Sequence, residues 1–171
     1  MIIMGDFQAL LVIDMQNGLL RRKVFNKQAL IDNLNDLLNY FHQKDMPVFL
    51  TRHTNDSFSK ENSNDWQISN ELNILCKDII INKSYSSICK EKQFISLLKE
   101  KSITGIVIAG LVSNGCIQAA CLDAKKLGLS VILIGDGHST FHKDGESVVR
   151  YWNEFLQNEG IKVVTTFEFK N

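Results

Sequence analysis

Pro47 is the single proline in 171 residues, so no proline-rich linker divides the chain, and no internal repeat or low-complexity tract interrupts it. Neither sign of charge is in excess, because Lys plus Arg and Asp plus Glu both number 19. A basic footprint for nucleic acid or an anionic membrane is therefore missing. A small molecule or another protein is the expected partner. No apolar run reaches the roughly 18 residues that a membrane-spanning helix requires. The opening stretch MIIMGDFQALLVIDMQ lacks a basic leader and a small-residue cleavage pattern, which makes a cytoplasmic location the expectation. The four cysteines, Cys76, Cys89, Cys116 and Cys121, show no C-x-x-C spacing, and in a reducing compartment they are expected to be free thiols.

What is present is a regular alternation of two patterns. Apolar runs rich in β-branched residues, expected of buried parallel strands, occur at Ala9–Ile13, Val48–Thr51, Asp78–Ile81, Ile106–Leu111, Val131–Ile134 and Ile161–Val164. Between most of them lie stripes at helical spacing. Leu30, Leu34, Leu37, Leu38 and Phe41 mark a helix over about residues 27–43. Phe94, Ile95, Leu97 and Leu98 mark one over about 91–101, and Val148, Val149, Trp152, Phe155 and Leu156 mark a third that ends at Gly160. Strands alternating with helices predict an α/β domain with a parallel sheet covered on both faces. The length fits one domain over 1–171, since chains of about 150 residues bury roughly 70% of their unfolded surface. The polar segment from His53 to Lys77, with a short helix expected at Asn70–Leu75, reads as a lid or specificity loop, or as solvated surface.

The stretch from Gly105 to Lys126 carries the chemistry. Its apolar strand gives way after Ser113-Asn114-Gly115 to Ile117, Ala120, Cys121 and Ala124 at i, i+3, i+4 and i+7, one face of a helix. Cys116 is thereby expected in the first turn of that helix, where unpaired N–H groups favour negative charge, lower a thiol pKa and hold an oxyanion. The plainer reading is a small residue needed for a tight strand-to-helix turn. Cys121 falls on the apolar stripe and reads as core. Asp14 ends the first strand, either as a turn cap or as a functional carboxylate. Lys83 follows the third strand, a position where a lysine alone is ordinarily a surface residue.

In a parallel sheet of this kind the ligand crevice lies beyond the carboxyl ends of the strands. Asp14, Lys83 and Cys116 each follow the carboxyl end of a different strand, so they can converge. Asp14 would then take the thiol proton, Lys83 would favour both charged partners, and Cys116 would attack.

These residues resemble the isochorismatase-like cysteine hydrolases. The likeness covers nearly the whole chain: ALLVIDMQN around Asp14, VFLTRH after Pro47, Lys83-Ser84-Tyr85-Ser86, GLVSNGCIQAACLDA around Cys116, and VILIGDGHS. It implies a three-layer doubly wound fold with six parallel strands in the order 3-2-1-4-5-6 and helices on both faces. It further implies an Asp14-Lys83-Cys116 triad, a non-proline cis peptide at Leu111–Val112, and the N–H groups of Val112 and Cys116 as oxyanion donors. Isochorismatases proper lack the cysteine and cleave a vinyl ether, so Cys116 aligns this chain with the amidohydrolases. Nicotinamidases of the family carry a metal-binding Asp with closely spaced histidines. Here only His53 is present, with Asp56 and Asp65 downstream; no metal or other cofactor is expected, and nicotinamide is disfavoured. Gly18 and Gly115 depart from the family pattern and would widen the pocket or loosen the turn.

The implied activity is metal-independent C–N bond cleavage of a small amide, ureide or carbamoyl compound through a Cys116 thioester. The alternatives are thiol redox chemistry at Cys116, for which Cys121 is poorly directed as a resolving partner, and a family member that binds without turnover. Expected substrate contacts are Gln16, Arg52, His53, Tyr85 and His138. A homodimer or homotetramer is expected from the family.

Overall fold

The computed structural model describes residues 7–57 and 59–171; residues 1–6 of the opening stretch lie outside it. Six strands, β1 (Ala9–Ile13), β2 (Val48–His53), β3 (Ile79–Lys83), β4 (Gly105–Leu111), β5 (Ser130–Ser139) and β6 (Lys162–Val164), pair in parallel in the order β3-β2-β1-β4-β5-β6. Among the described residues six α-helices accompany them: α1 (Asn17–Leu20), α2 (Lys27–Gln43), α3 (Lys92–Glu100), α4 (Gln118–Lys126), α5 (Gly145–Asn158) and α6 (Thr166–Lys170). Among the described residues no helix is long and apolar enough to cross a membrane.

The two-residue period of the strands sorts the core into two halves. Leu10, Val12, Val48, Leu50, Val107, Ala109, Ile132 and Ile134 face α2 and α6, meeting Leu34, Leu37, Leu38, Phe41 and Phe169. Their alternates, Ala9, Leu11, Ile13, Phe49, Ile81, Ile106, Ile108 and Leu133, face Phe94 and Leu98 of α3, Ala120, Cys121 and Ala124 of α4, and Leu156 of α5. Burying each large aliphatic or aromatic side chain in these layers contributes about 1.5–3 kcal/mol. Phe41 stacks on Phe169 and Phe49 meets Phe94 edge to face, closing one layer each.

Three strands run further at their carboxyl ends than the apolar runs predict. His53 pairs with Lys83, extending β2 and β3, and β5 continues to Ser139 across a register shift opposite Ile108 and Gly110. The polar side chains in these extensions find partners within the protein, so strand pairing does not stop where hydrophobicity does. The expected Asn70–Leu75 helix is irregular chain instead. Asn35 of α2 donates to the Glu71 carbonyl at 2.9 Å and accepts the Asn73 N–H at 2.8 Å, taking backbone groups that a helix would use. Along α5 only Gly145 and Leu156 are fully buried; Trp152 and Phe155 pack against each other, half-buried, on its flank.

Strand order reverses between β1 and β4, which places the crevice at their carboxyl ends. Gly110 lets them approach. It has φ +121°, and a Cβ there would lie 2.3 Å from the Ile13 carbonyl oxygen, so only glycine fits.

Candidate active site

Immediately after β1 the chain turns sharply. Asp14 adopts φ 53°, in the left-handed region that Asp tolerates better than most residues. Its N–H donates to Thr51 Oγ1 at 3.1 Å, while the same hydroxyl donates to Asp14 Oδ1 at 2.5 Å. The carboxylate is thereby fixed with Oδ2 toward β3, where Lys83 Nζ lies 2.9 Å away.

Lys83 is the last residue of β3, and its ammonium is fully buried. Such burial is costly unless the charge is paired and its hydrogens are bonded. Five acceptors surround Nζ: Asp14 Oδ2 at 2.9 Å, His53 Nδ1 at 3.2 Å, Cys116 Sγ at 3.2 Å, and the Tyr85 and Ser86 carbonyls at 3.2 and 3.3 Å. The surface role typical of a lone lysine is therefore overturned by this surround.

Cys116 reaches the cluster from a π-helical turn, Ser113–Ile117, that joins β4 to α4. The cysteine thus precedes α4 instead of occupying its first turn. The Leu111–Val112 peptide before it is cis, and the N–H groups of Gly115 and Ile117, on either side of the cysteine, both donate to the Val112 carbonyl. The expected lowering of the thiol pKa is also corrected. Burial, reinforced by the Asp14 charge and opposed by Lys83, pushes the Cys116 thiol up to about 11. In the resting protein the sulfur is a thiol.

Of the residues expected to touch substrate, His53 joins the cluster. Burial and the neighbouring Lys83 hold its imidazole below the usual histidine range, against the pull of Asp14. The ring is neutral at pH 7, with Nδ1 accepting from the ammonium and the proton on Nε2. Gln16 is spent elsewhere: its fully buried amide donates to the His53 and Trp66 carbonyls and accepts the His53 N–H at 2.8 Å. It ties β2 to the 54–77 segment.

Arg52 leaves β2 on the opposite face from His53, as the period of two requires. It stacks 3.6 Å from the Trp66 ring centroid and donates to Asn82 and Gln67, holding the same segment. Trp66, Ile68 and Leu72 are buried there and anchor the segment, while Lys60, Glu61, Asn62, Gln67, Asn70 and Glu71 are exposed. Tyr85 exposes its ring and contributes its carbonyl to Lys83. His138 is buried, with Nδ1 2.7 Å from Ser113 Oγ and Nε2 2.7 Å from Asn153 Oδ1. Nδ1 thus meets the turn that carries Cys116, and Nε2 ties the ring to α5.

Thr51 went unread in the sequence, although a buried polar residue closing the VFLT run was a signal. Asp14, His53 and Cys116 each offer a donor atom within 4.8 Å of the other two, a set able to hold a metal ion. Chemically, the arrangement brings a thiol, a carboxylate and an ammonium into direct contact.

A curated Bacillus subtilis relative, the uncharacterized isochorismatase family protein YddQ, is 26% identical over 139 residues, 77% of each chain. A maleamate amidohydrolase of Pseudomonas putida is 30% identical over 70 residues, 39% of this chain and 33% of that one. The solved structure of a cysteine hydrolase from Pseudomonas syringae pv. phaseolicola superposes with a TM-score of 0.85 at 18% identity, covering 95% of this chain and 91% of that one. The isochorismatase domain model matches residues 8–166, nearly the full length, and the chain accordingly belongs to the isochorismatase family.

Proposed function

We propose that the protein is a metal-independent cysteine amidohydrolase acting on a small amide, ureide or carbamoyl compound. The observation that carries this reading is the Lys83 ammonium bonded at once to the Asp14 carboxylate and the Cys116 sulfur. As Sγ attacks the carbonyl carbon, the thiol proton passes to Asp14, and Lys83 stabilises the charge as it moves. The oxyanion is held by the Val112 and Cys116 N–H groups. Asp14 then returns the proton to the nitrogen as the C–N bond breaks, releasing ammonia or an amine and leaving a thioester. Water attacks the thioester, Asp14 accepts its proton, the C–S bond breaks, and the acid leaves as the thiol is restored.

The raised thiol pKa fits a nucleophile made in place during attack. It works against thiol redox chemistry, which needs a standing thiolate. Similarity to a maleamate amidohydrolase over part of the chain supports an amide substrate. Family resemblance supports a homodimer or homotetramer, which sedimentation measures directly. The functional test is release of ammonia or amine from a panel of small amides, ureides and carbamoyl compounds. Wild type releases it and Cys116→Ala does not; equal rates from the two proteins would remove the proposal.

A further inference from the structure

The Lys83 ammonium sits where a metal ion would. An oxygen of Asp14, a ring nitrogen of His53 and the sulfur of Cys116 lie within 4.8 Å of one another, and Nζ is 2.9, 3.2 and 3.2 Å from Asp14 Oδ2, His53 Nδ1 and Cys116 Sγ. Carboxylate, imidazole and thiolate are the three ligand types that zinc accepts, and three protein ligands with a water in the fourth position is a common zinc arrangement. Hard cations such as Mg²⁺ prefer oxygen throughout and gain little from this set.

The ammonium has other acceptors within reach. It has three N–H donors and five acceptors, and two of these, the Tyr85 and Ser86 carbonyls at 3.2 and 3.3 Å, are not metal ligands here. We infer that a thiophilic divalent cation of the Zn²⁺ type binds between Asp14, His53 and Cys116, shifts the Lys83 ammonium onto those two carbonyls, and reversibly blocks the site. The S–H bond breaks as the metal–sulfur bond forms, the proton leaves to solvent, and the carboxylate and neutral imidazole donate lone pairs; no redox change occurs. The donors close by about 1 Å to reach tetrahedral spacing, a distance within side-chain rotation. The two anionic ligands match the charge of the ion, and the displaced Lys83 ammonium, no longer paired with Asp14, is held by the Tyr85 and Ser86 carbonyls.

That occupancy inhibits rests on the function proposed above; that the ion binds does not. The test uses the chelator-stripped full chain with Co²⁺ as a spectroscopic probe and Zn²⁺ as competitor, and follows alkylation of Cys116 at pH 9 by peptide mass spectrometry. One Co²⁺ per chain gives a near-ultraviolet sulfur-to-cobalt band that Cys116→Ser abolishes and His53→Ala weakens at least tenfold in affinity. Stoichiometric Zn²⁺ slows alkylation of Cys116 at least tenfold, a chelator restores it, and Mg²⁺ has no effect. Absence of the band, a band indifferent to both substitutions, unprotected alkylation, or hydrolysis accelerated by Zn²⁺ each overturns the inference. The wild-type protection experiment depends on no variant folding. Band and protection in a protein that hydrolyses nothing would leave the metal site standing and remove the hydrolase reading instead.

Discussion

Thr51 and Asp14 hold each other through a single hydroxyl: Thr51 Oγ1 accepts the Asp14 N–H at 3.1 Å and donates to Oδ1 at 2.5 Å. One side chain thereby fixes both the left-handed backbone of Asp14 and the direction of its carboxylate. Thr51→Val keeps the shape and removes the hydrogen bonds. The variant is expected to lose about 1–3 kcal/mol of stability, the cost of leaving a buried donor unpaired, and about ten- to a hundredfold in kcat as the carboxylate loses its aim. Thr51→Ser should recover most of both. Urea denaturation and steady-state kinetics read the two effects, and a Val variant with wild-type kcat would show that the clamp does not matter to the chemistry.

The acidity of Cys116 gives a second prediction. Because burial and then Asp14 raise the thiol to about 11 while Lys83 pulls it down, alkylation of Cys116 should be slow at pH 7 and climb with pH toward that value. Exposed Cys76 should label first. Asp14→Asn removes a charge that disfavours the thiolate, so its alkylation profile should move to lower pH. Lys83→Met should move it higher. Iodoacetamide rates read peptide by peptide measure all three, and a wild-type midpoint near neutrality would contradict the assignment.

His138 links stability to pH. Burial holds its pKa below the usual value in the folded protein, against the Asn153 hydrogen bond, so the unfolded chain binds the proton first, near pH 6.5. Where the unfolded state binds more protons, stability rises with pH. The contribution is therefore complete above about pH 6.5 and is lost as the pH falls toward the folded value. Half-buried His53 acts in the same direction. Thermal unfolding should show Tm level from pH 7 to 8 and falling below about 6.5, with His138→Gln flattening part of the fall.

Gly110 fixes the spacing of β1 and β4. A Cβ there would meet the Ile13 carbonyl oxygen at 2.3 Å and the Ile13 nitrogen at 2.6 Å, backbone atoms that have nowhere to go. Gly110→Ala should cost about 4 kcal/mol or more, in the range of the most damaging single substitutions. Chemical denaturation measures it; a loss under 1 kcal/mol would mean that the strands part easily.

Much of this was readable in the residues. Apolar runs and helical stripes marked six strands and the main helices because burial on both faces of a parallel sheet leaves little freedom in composition. Asp14, Lys83 and Cys116 were visible because each lies at or just beyond the carboxyl end of a different strand. The rest was hidden for physical reasons. No periodicity tells that Lys83 is enclosed, since its neighbours come from β1, β2 and the turn before α4. Gln16, Arg52 and His138 read as ligand contacts from their places at strand ends, and spacing does not show that each also bonds within the protein to partners distant in sequence: Trp66 and Gln67 for the first two, Ser113 and Asn153 for the third. The lowered thiol pKa expected of a helix terminus gave way to burial beside a carboxylate, a consequence of packing that spacing alone does not report.

The most direct test of the central claim is the mass of the protein caught during turnover. With an amide, ureide or carbamoyl compound that it hydrolyses, rapid acid quench and peptide mapping should find Cys116 carrying the acyl group, with ammonia or amine released in equal amount, and Cys116→Ser should carry none. Turnover that proceeds with Cys116 unmodified, or that survives Cys116→Ala, would contradict it.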